Sequence, residues 1–178
     1  MKNMRKSLLF LLAALTILTV FAVGTAFALG VGSTVSNVQL KDSNDKATAI
    51  PDLGNKVITI FYNDPDVADI NDPAGDALKA QKFPKDKYRG LGIGNLKDTW
   101  KPNSIIRMIA RKKEAKFNST ILMDDNYVLK KAWNLGNADE QSFCIIIDKN
   151  KKVIYFYKGK MNAAEIQKAI DAIKAAIK

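Results

Sequence analysis

The sequence predicts an α/β fold: a three-layer sandwich whose mixed central sheet has helices on both faces, with an extra N-terminal strand. Three stretches carry that expectation. Val57–Tyr62 is a run of β-branched and aromatic residues, apolar on both faces. Such a strand belongs in the middle of a sheet covered on both sides, which favours parallel neighbours. Phe143–Ile147 and Val153–Tyr157 are two further apolar runs joined by the polar turn Asp148-Lys149-Asn150-Lys151, the pattern of a hairpin. From Asn162 onward the chain reads as helix. Asn162 is an N-cap with Glu165 three residues on, a capping-box spacing, and Ile166, Ile170, Ile173 and Ile177 share one face.

The remaining elements follow in order. Val31–Leu40 is a short first strand with Val35, Val38 and Leu40 apolar, and Lys41–Lys46 is a turn-rich break. Ala49–Asn55 is a loop leading into the central strand. After Val57–Tyr62 comes a loop with Asp64, Asp66, Asp69, Asp72 and Asp76, then a helix over Ala74–Phe83 that Pro84 stops. Arg89–Leu96 carries glycines at 90, 92 and 94 alternating with Leu91, Ile93 and Leu96. It lacks the G-x-G-x-x-G spacing of a nucleotide loop and reads as a strand with close backbone approaches. Pro102–Phe117 is an amphipathic helix capped by Asn103 or Ser104. Ile105, Ile106, Met108 and Ile109 form its apolar face, and Arg107, Arg111, Lys112, Lys113 and Lys116 form a basic face expected to be solvated. Ser119–Met123 is a strand and Tyr127–Asn134 a helical turn or two.

The first residues stand apart from this domain. Lys2, Arg5 and Lys6 precede the apolar run Leu8–Val23, and Ala26-Phe27-Ala28 follows, the arrangement of a secretory signal peptide over residues 1–28. Its rival is a retained membrane anchor, since Leu8–Leu29 is nearly long enough to span a bilayer. Cleavage after Ala28 leaves a single domain, 29–178, expected in the periplasm with no stable membrane span. Three of the 28 basic residues leave with the signal and none of the 18 acids does, so the mature chain has a formal charge of +7. A basic exported protein suits an anionic surface or an envelope protein as partner, and nothing in the sequence suits nucleic acid.

Composition narrows the chemistry. There is one cysteine, Cys144, so no intramolecular disulfide forms, and its neighbours Phe143, Ile145, Ile146 and Ile147 place it in a core strand. There is no histidine. That removes histidine metal sites, Ser–His and Cys–His nucleophiles, and a switch near neutral pH.

The element order, a β-α-β half followed by a β-β-α half, is the thioredoxin arrangement. The block Thr120–Val153 resembles thioredoxin-like proteins of the peroxiredoxin and TlpA type. ALKAQKFPKDKY at 77–88, YVLKKAWNL at 127–135 and the DKNKKV turn resemble, more specifically, the YtfJ family of small exported bacterial proteins. The resemblance covers nearly all of Val31–Lys178 and implies a thioredoxin-like fold and an export route, with no settled activity. It also shows what is missing. Where the thioredoxin pattern has C-x-x-C, at the end of the strand Val57–Tyr62, this chain has Asp64-Pro65-Asp66-Val67-Ala68-Asp69. Where the pattern has a cis-proline before the strand Phe143–Ile147, this chain has Ser142.

The candidate functional loop is therefore Asp64, Asp66 and Asp69 with Ser142 opposite. Three roles fit the aspartates. They can cap and charge the following helix N-terminus, where each carboxylate contributes about 0.3–1 kcal/mol. Asn63, Asp64, Asp66, Asp69 and Asp72 can hold a hard cation through oxygen, although the spacing is not that of an EF-hand. Or the loop is a docking surface. The expectation is a non-redox binding or assembly protein with no catalytic residue and no cofactor. Its alternatives are a divergent thiol-disulfide or peroxiredoxin-like oxidoreductase, or a carboxylate- or metal-dependent enzyme using Asp64–Asp76.

Overall fold

A computed structural model describes residues 28–178; the signal-peptide reading lies outside the described residues apart from Ala28. The chain runs β1 (Gln39–Asp42), β2 (Ala47–Ala49), β3 (Val57–Asn63), α1 (Asp72–Ala80), β4 (Tyr88–Asn95), α2 (Asn103–Phe117), β5 (Thr120–Asp124), α3 (Val128–Ala132), β6 (Ser142–Ile147), β7 (Val153–Lys158) and α4 (Ala163–Ala176). The strands form one seven-stranded sheet in the order β2-β1-β5-β4-β3-β6-β7. β3, β4 and β5 are parallel, and β6, β7, β1 and β2 are antiparallel to their neighbours. The sheet is thus mixed, and β3 has one parallel and one antiparallel partner.

Two faces follow from the alternation of side chains along β3. Ile58, Ile60 and Tyr62 join Leu91, Ile93, Leu122, Phe143, Ile145 and Ile147, closed over by Leu129 of α3 and by Trp133. Val57 joins Cys144 and Ile146 on the other face, under Ala74 and Leu78 of α1 and Ala169, Ile170 and Ile173 of α4. Because β3, β4 and β5 advance one position at a time in one direction, two right-handed crossovers put α1 and α2 on the same face. α2 rests there through Ile106 and Ala110 on Leu96 and Met123. Among the described residues, no helix is long and apolar enough to cross a membrane.

The N-terminal strand is misplaced by the sequence reading. Instead of Val31–Leu40, the first strand starts at Gln39 and pairs with β2, which was expected to be turn and loop. Val31 is exposed. The preceding stretch instead lies along the start of β7: Gly32 N–H donates to Val153 O and Val153 N–H to Ser33 O, both at 2.8 Å. At α4 the capping box is half formed. Asn162 accepts from Glu165 N–H at 3.0 Å, while the Glu165 carboxylate takes the Tyr155 hydroxyl at 2.9 Å and Lys168 at 2.7 Å. The basic face of α2 is not simply solvated either. Arg107 and Arg111 donate to the carbonyls of Asp42 and Ser43 and so tie α2 to the β1–β2 turn.

Candidate functional site

The junction of β3 with α1 sits at the C-terminal edge of the parallel strands, where α/β folds place their chemistry. Its centre is Asp64, 0% exposed. One carboxylate oxygen accepts from Asp66 N–H and the other from Glu140 N–H, each at 2.8 Å, while Asp64 N–H donates to Gln141 O at 2.9 Å. Asp64 therefore closes its own turn and binds the segment before β6. It does not reach the helix.

Beside it lies a second knot. Ser142, fully buried, donates its hydroxyl to Asn63 Oδ1 at 2.5 Å and accepts from Asn71 Nδ2 at 2.8 Å. Asn71 also donates to Gly159 O at 2.9 Å and accepts from Met161 N–H at 2.8 Å. One amide thus joins the start of α1, the start of β6 and the β7–α4 connection. Gly159, at φ +100°, takes a left-handed turn that few other residues tolerate, which helps turn its carbonyl towards that amide.

The other aspartates face basic residues. Asp66 pairs with Lys101, whose ammonium holds the carboxyl below the usual range. Asp69 and Asp72 share Lys113 at 2.6 and 2.9 Å, and Asp72 also takes Lys116 at 3.0 Å. Burial would raise the Asp72 carboxyl, but hydrogen bonds from Lys113 and Lys116 outweigh it and hold it low. Asp76 is exposed. The capping expectation is corrected here: Asn71 occupies the N-cap of α1 with no side-chain cap bond, and only Asp72 falls in the first turn. The cation-binding reading of Asn63, Asp64, Asp66, Asp69 and Asp72 finds no cage. Asp64 faces backbone N–H groups, Asp66 faces Lys101, and Asp69 and Asp72 share Lys113, and among the described residues no three acidic, cysteine or histidine side chains gather as metal ligands.

Cys144 is 0% exposed in the middle of β6, paired with Phe61 and Tyr157. Burial pushes its thiol up to about 12, so the thiolate that does redox chemistry is suppressed. Two further buried polar groups share this end of the sheet. Asp124, at the end of β5, accepts from the Tyr62 hydroxyl and from three successive backbone N–H groups of α3. Asn95, at the end of β4, donates to Asp98, which also takes Tyr127 and Lys130. Asn71 and Asp124 escape a sequence reading because their partners are set by tertiary contact. The one local signal is the place of Asp124 at the end of an apolar strand; Asn71, within the aspartate loop, has none.

A family model described as "Bacterial protein of unknown function (YtfJ_HI0045)" matches residues 41–176. An uncharacterized protein of Haemophilus influenzae is 30% identical over 105 residues, which are 58% of this chain and 56% of that protein. The match thus spans little more than half of that relative's length. Among solved structures, the pneumococcal exposed lipoprotein thioredoxin of Streptococcus pneumoniae has a TM-score of 0.58 at 16% identity, covering 76% of this chain and 98% of that one. A peroxiredoxin-like protein from Aquifex aeolicus has a TM-score of 0.57 at 14% identity, covering 83% and 90%. At such identities the likeness is one of fold, and the fold is thioredoxin-like.

Proposed function

The chain belongs to the bacterial YtfJ family of unknown function, and on that premise we propose that it is a thioredoxin-fold protein of the cell envelope that binds or assembles and does not transfer electrons. The observation that carries the reading is the β3–α1 junction. At the position of a redox dithiol stand two adjacent hydrogen-bonded knots, Asp64 on the backbone of Asp66 and Glu140, and Ser142 between Asn63 and Asn71. The single thiol is remote from any accessible surface. Export is supported by the charged start, the apolar run Leu8–Val23 and Ala26-Phe27-Ala28. The net positive charge suits an anionic envelope component or protein as partner.

Insulin reduction by dithiothreitol, with and without the purified mature chain, tests the reading. The expected result is the uncatalysed rate, unchanged in Cys144→Ser. Turnover by the wild-type chain that disappears in Cys144→Ser would overturn it.

A further inference from the structure

The face carrying α1 and α2 holds a cleft of about 900 Å³ between the two helices, on the scale of an ordinary small-molecule site. Its floor is β4, and the floor is bare. Register pairs Thr59 with Gly90, Phe61 with Gly92 and Asn63 with Gly94, so the three glycines all look into the α1–α2 layer. None of them has a positive φ. Backbone conformation therefore does not require glycine there, and each costs the strand stability, roughly 0.5–1 kcal/mol against alanine. What their absence of side chains supplies is room. A Cβ on Gly90 would meet first the Tyr88 hydroxyl at 3.4 Å, and one on Gly92 the Ile121 side chain at 3.3 Å. Strand glycines of this kind mark a close approach by another group; Tyr88 and Ile121 make part of that approach, and the remaining space over Gly90 and Gly92 opens into the cleft.

Two observations say what fits there. First, the hydroxyl of Thr59 is buried, the residue being 1% exposed, lines the cleft, and makes no hydrogen bond of ordinary geometry to the protein. The neighbouring Tyr88 hydroxyl is close enough for a weak hydrogen bond with it, which opposes the upward shift that burial gives the Tyr88 phenol. A buried hydroxyl without a full hydrogen bond is costly to leave unmet. Second, the walls are apolar and the rim is cationic. Phe83 and Tyr88 meet as tilted rings with centroids 4.8 Å apart, and Phe117 also lines the cleft. Lys79, Lys82 and Lys85 line the opening, and neither Lys82 nor Lys85 has an ion-pair partner among the described residues. The two acids of the lining are already engaged, Asp72 by lysines and Glu114 by Ser43 and Ile121 N–H.

We propose that this cleft binds a single-chain anionic amphiphile. Its apolar body lies over Gly92 between the aromatic walls, and its anionic head, phosphate or carboxylate, turns one oxygen to Thr59 and the others to Lys82 and Lys85. The site deepens the binding role proposed above by naming a ligand class, and it rests on that reading only in this sense.

Calorimetric titration of the mature chain tests it with four probes: dodecyl phosphate, dodecanol, inorganic phosphate, and phosphatidylglycerol vesicles. Dodecyl phosphate is expected to bind one per chain with micromolar affinity, about tenfold or more tighter than either dodecanol or inorganic phosphate. Gly92→Leu fills the floor and is expected to abolish binding. The exposed double variant Lys82→Glu/Lys85→Glu, which leaves the fold untouched, is expected to weaken it about tenfold and so keeps the test valid if Gly92→Leu fails to fold. No binding at millimolar dodecyl phosphate overturns the proposal, as does equal affinity for dodecanol or for inorganic phosphate. So does vesicle binding that persists in Gly92→Leu without uptake of the single chain, which would mean association with a membrane surface. A failed titration leaves the redox-inactive reading standing, and insulin reduction would overturn that reading without touching the cleft.

Discussion

Replacing Asn71 by alanine is expected to destabilise the protein by about 3 kcal/mol, because two buried groups then lose a partner at about 1–3 kcal/mol each. The Met161 N–H and the Ser142 hydroxyl both depend on this side chain, and Gly159 O depends on it as well. Ser142 is 0% exposed, so water does not replace the amide without entering the core. For a domain of this size the melting temperature should fall by roughly 10 °C. Asn71→Asp separates hydrogen bonding from packing. It keeps the volume and the acceptor for Met161, but turns the donor facing Gly159 O into a second acceptor. It should therefore cost about as much as the alanine variant. Urea unfolding followed by circular dichroism measures both. A loss under about 1 kcal/mol in either would mean that the junction is not the structural unit described here.

Asp124→Ala is expected to cost more, about 3–5 kcal/mol. The carboxylate is 0% exposed and accepts from the N–H groups of Val128, Leu129 and Lys130 at 2.6, 3.2 and 3.1 Å and from the Tyr62 hydroxyl at 3.1 Å. These are the orphan donors of the first turn of α3, a helix only five residues long whose own N-cap, Tyr127, gives no side-chain bond. Alanine leaves all four donors unmet, whereas Asp124→Asn keeps acceptor oxygen on part of the set and should lose about half as much. Burial, and then the Asp124 charge, push the Tyr62 phenol far above its ordinary value. Urea unfolding gives the total loss, and hydrogen exchange of the Val128–Lys130 amides gives its local part. Protection of those amides unchanged in Asp124→Ala would contradict the assignment.

The parts of the fold that were legible in the sequence are those whose signal is local. β3, β6 and β7 are apolar runs bounded by polar turns, and α4 carries both its cap and its isoleucine face within one segment. The register that joins them is not local, yet the alternation of β-α-β with β-β-α carried the topology. β2 has three residues, too few for an alternating pattern, and Val31 and Val35 imitated the start of a strand. At the candidate site, the sequence located the aspartate loop but not its use. Asp64 binds the backbone of Glu140, Asp66 meets Lys101, and Asp69 meets Lys113. Each of these partners comes from a different part of the chain. The basic stripe of α2 was misjudged for the same reason, since Arg107 and Arg111 are spent on the β1–β2 turn and Lys113 and Lys116 on Asp69 and Asp72. The glycines of β4 were legible as a place of close approach, but only the register showed that they share one face with Thr59.

The central claim is that the redox position of this thioredoxin-like fold has become a structural junction and that the remaining thiol belongs to the core. Titration of the native mature chain with a chromogenic disulfide at about pH 8 tests it most directly. The expected result is no reactive thiol in the native state over hours, and one per chain once denaturant is added. One thiol per chain reacting within minutes in the native state would contradict it.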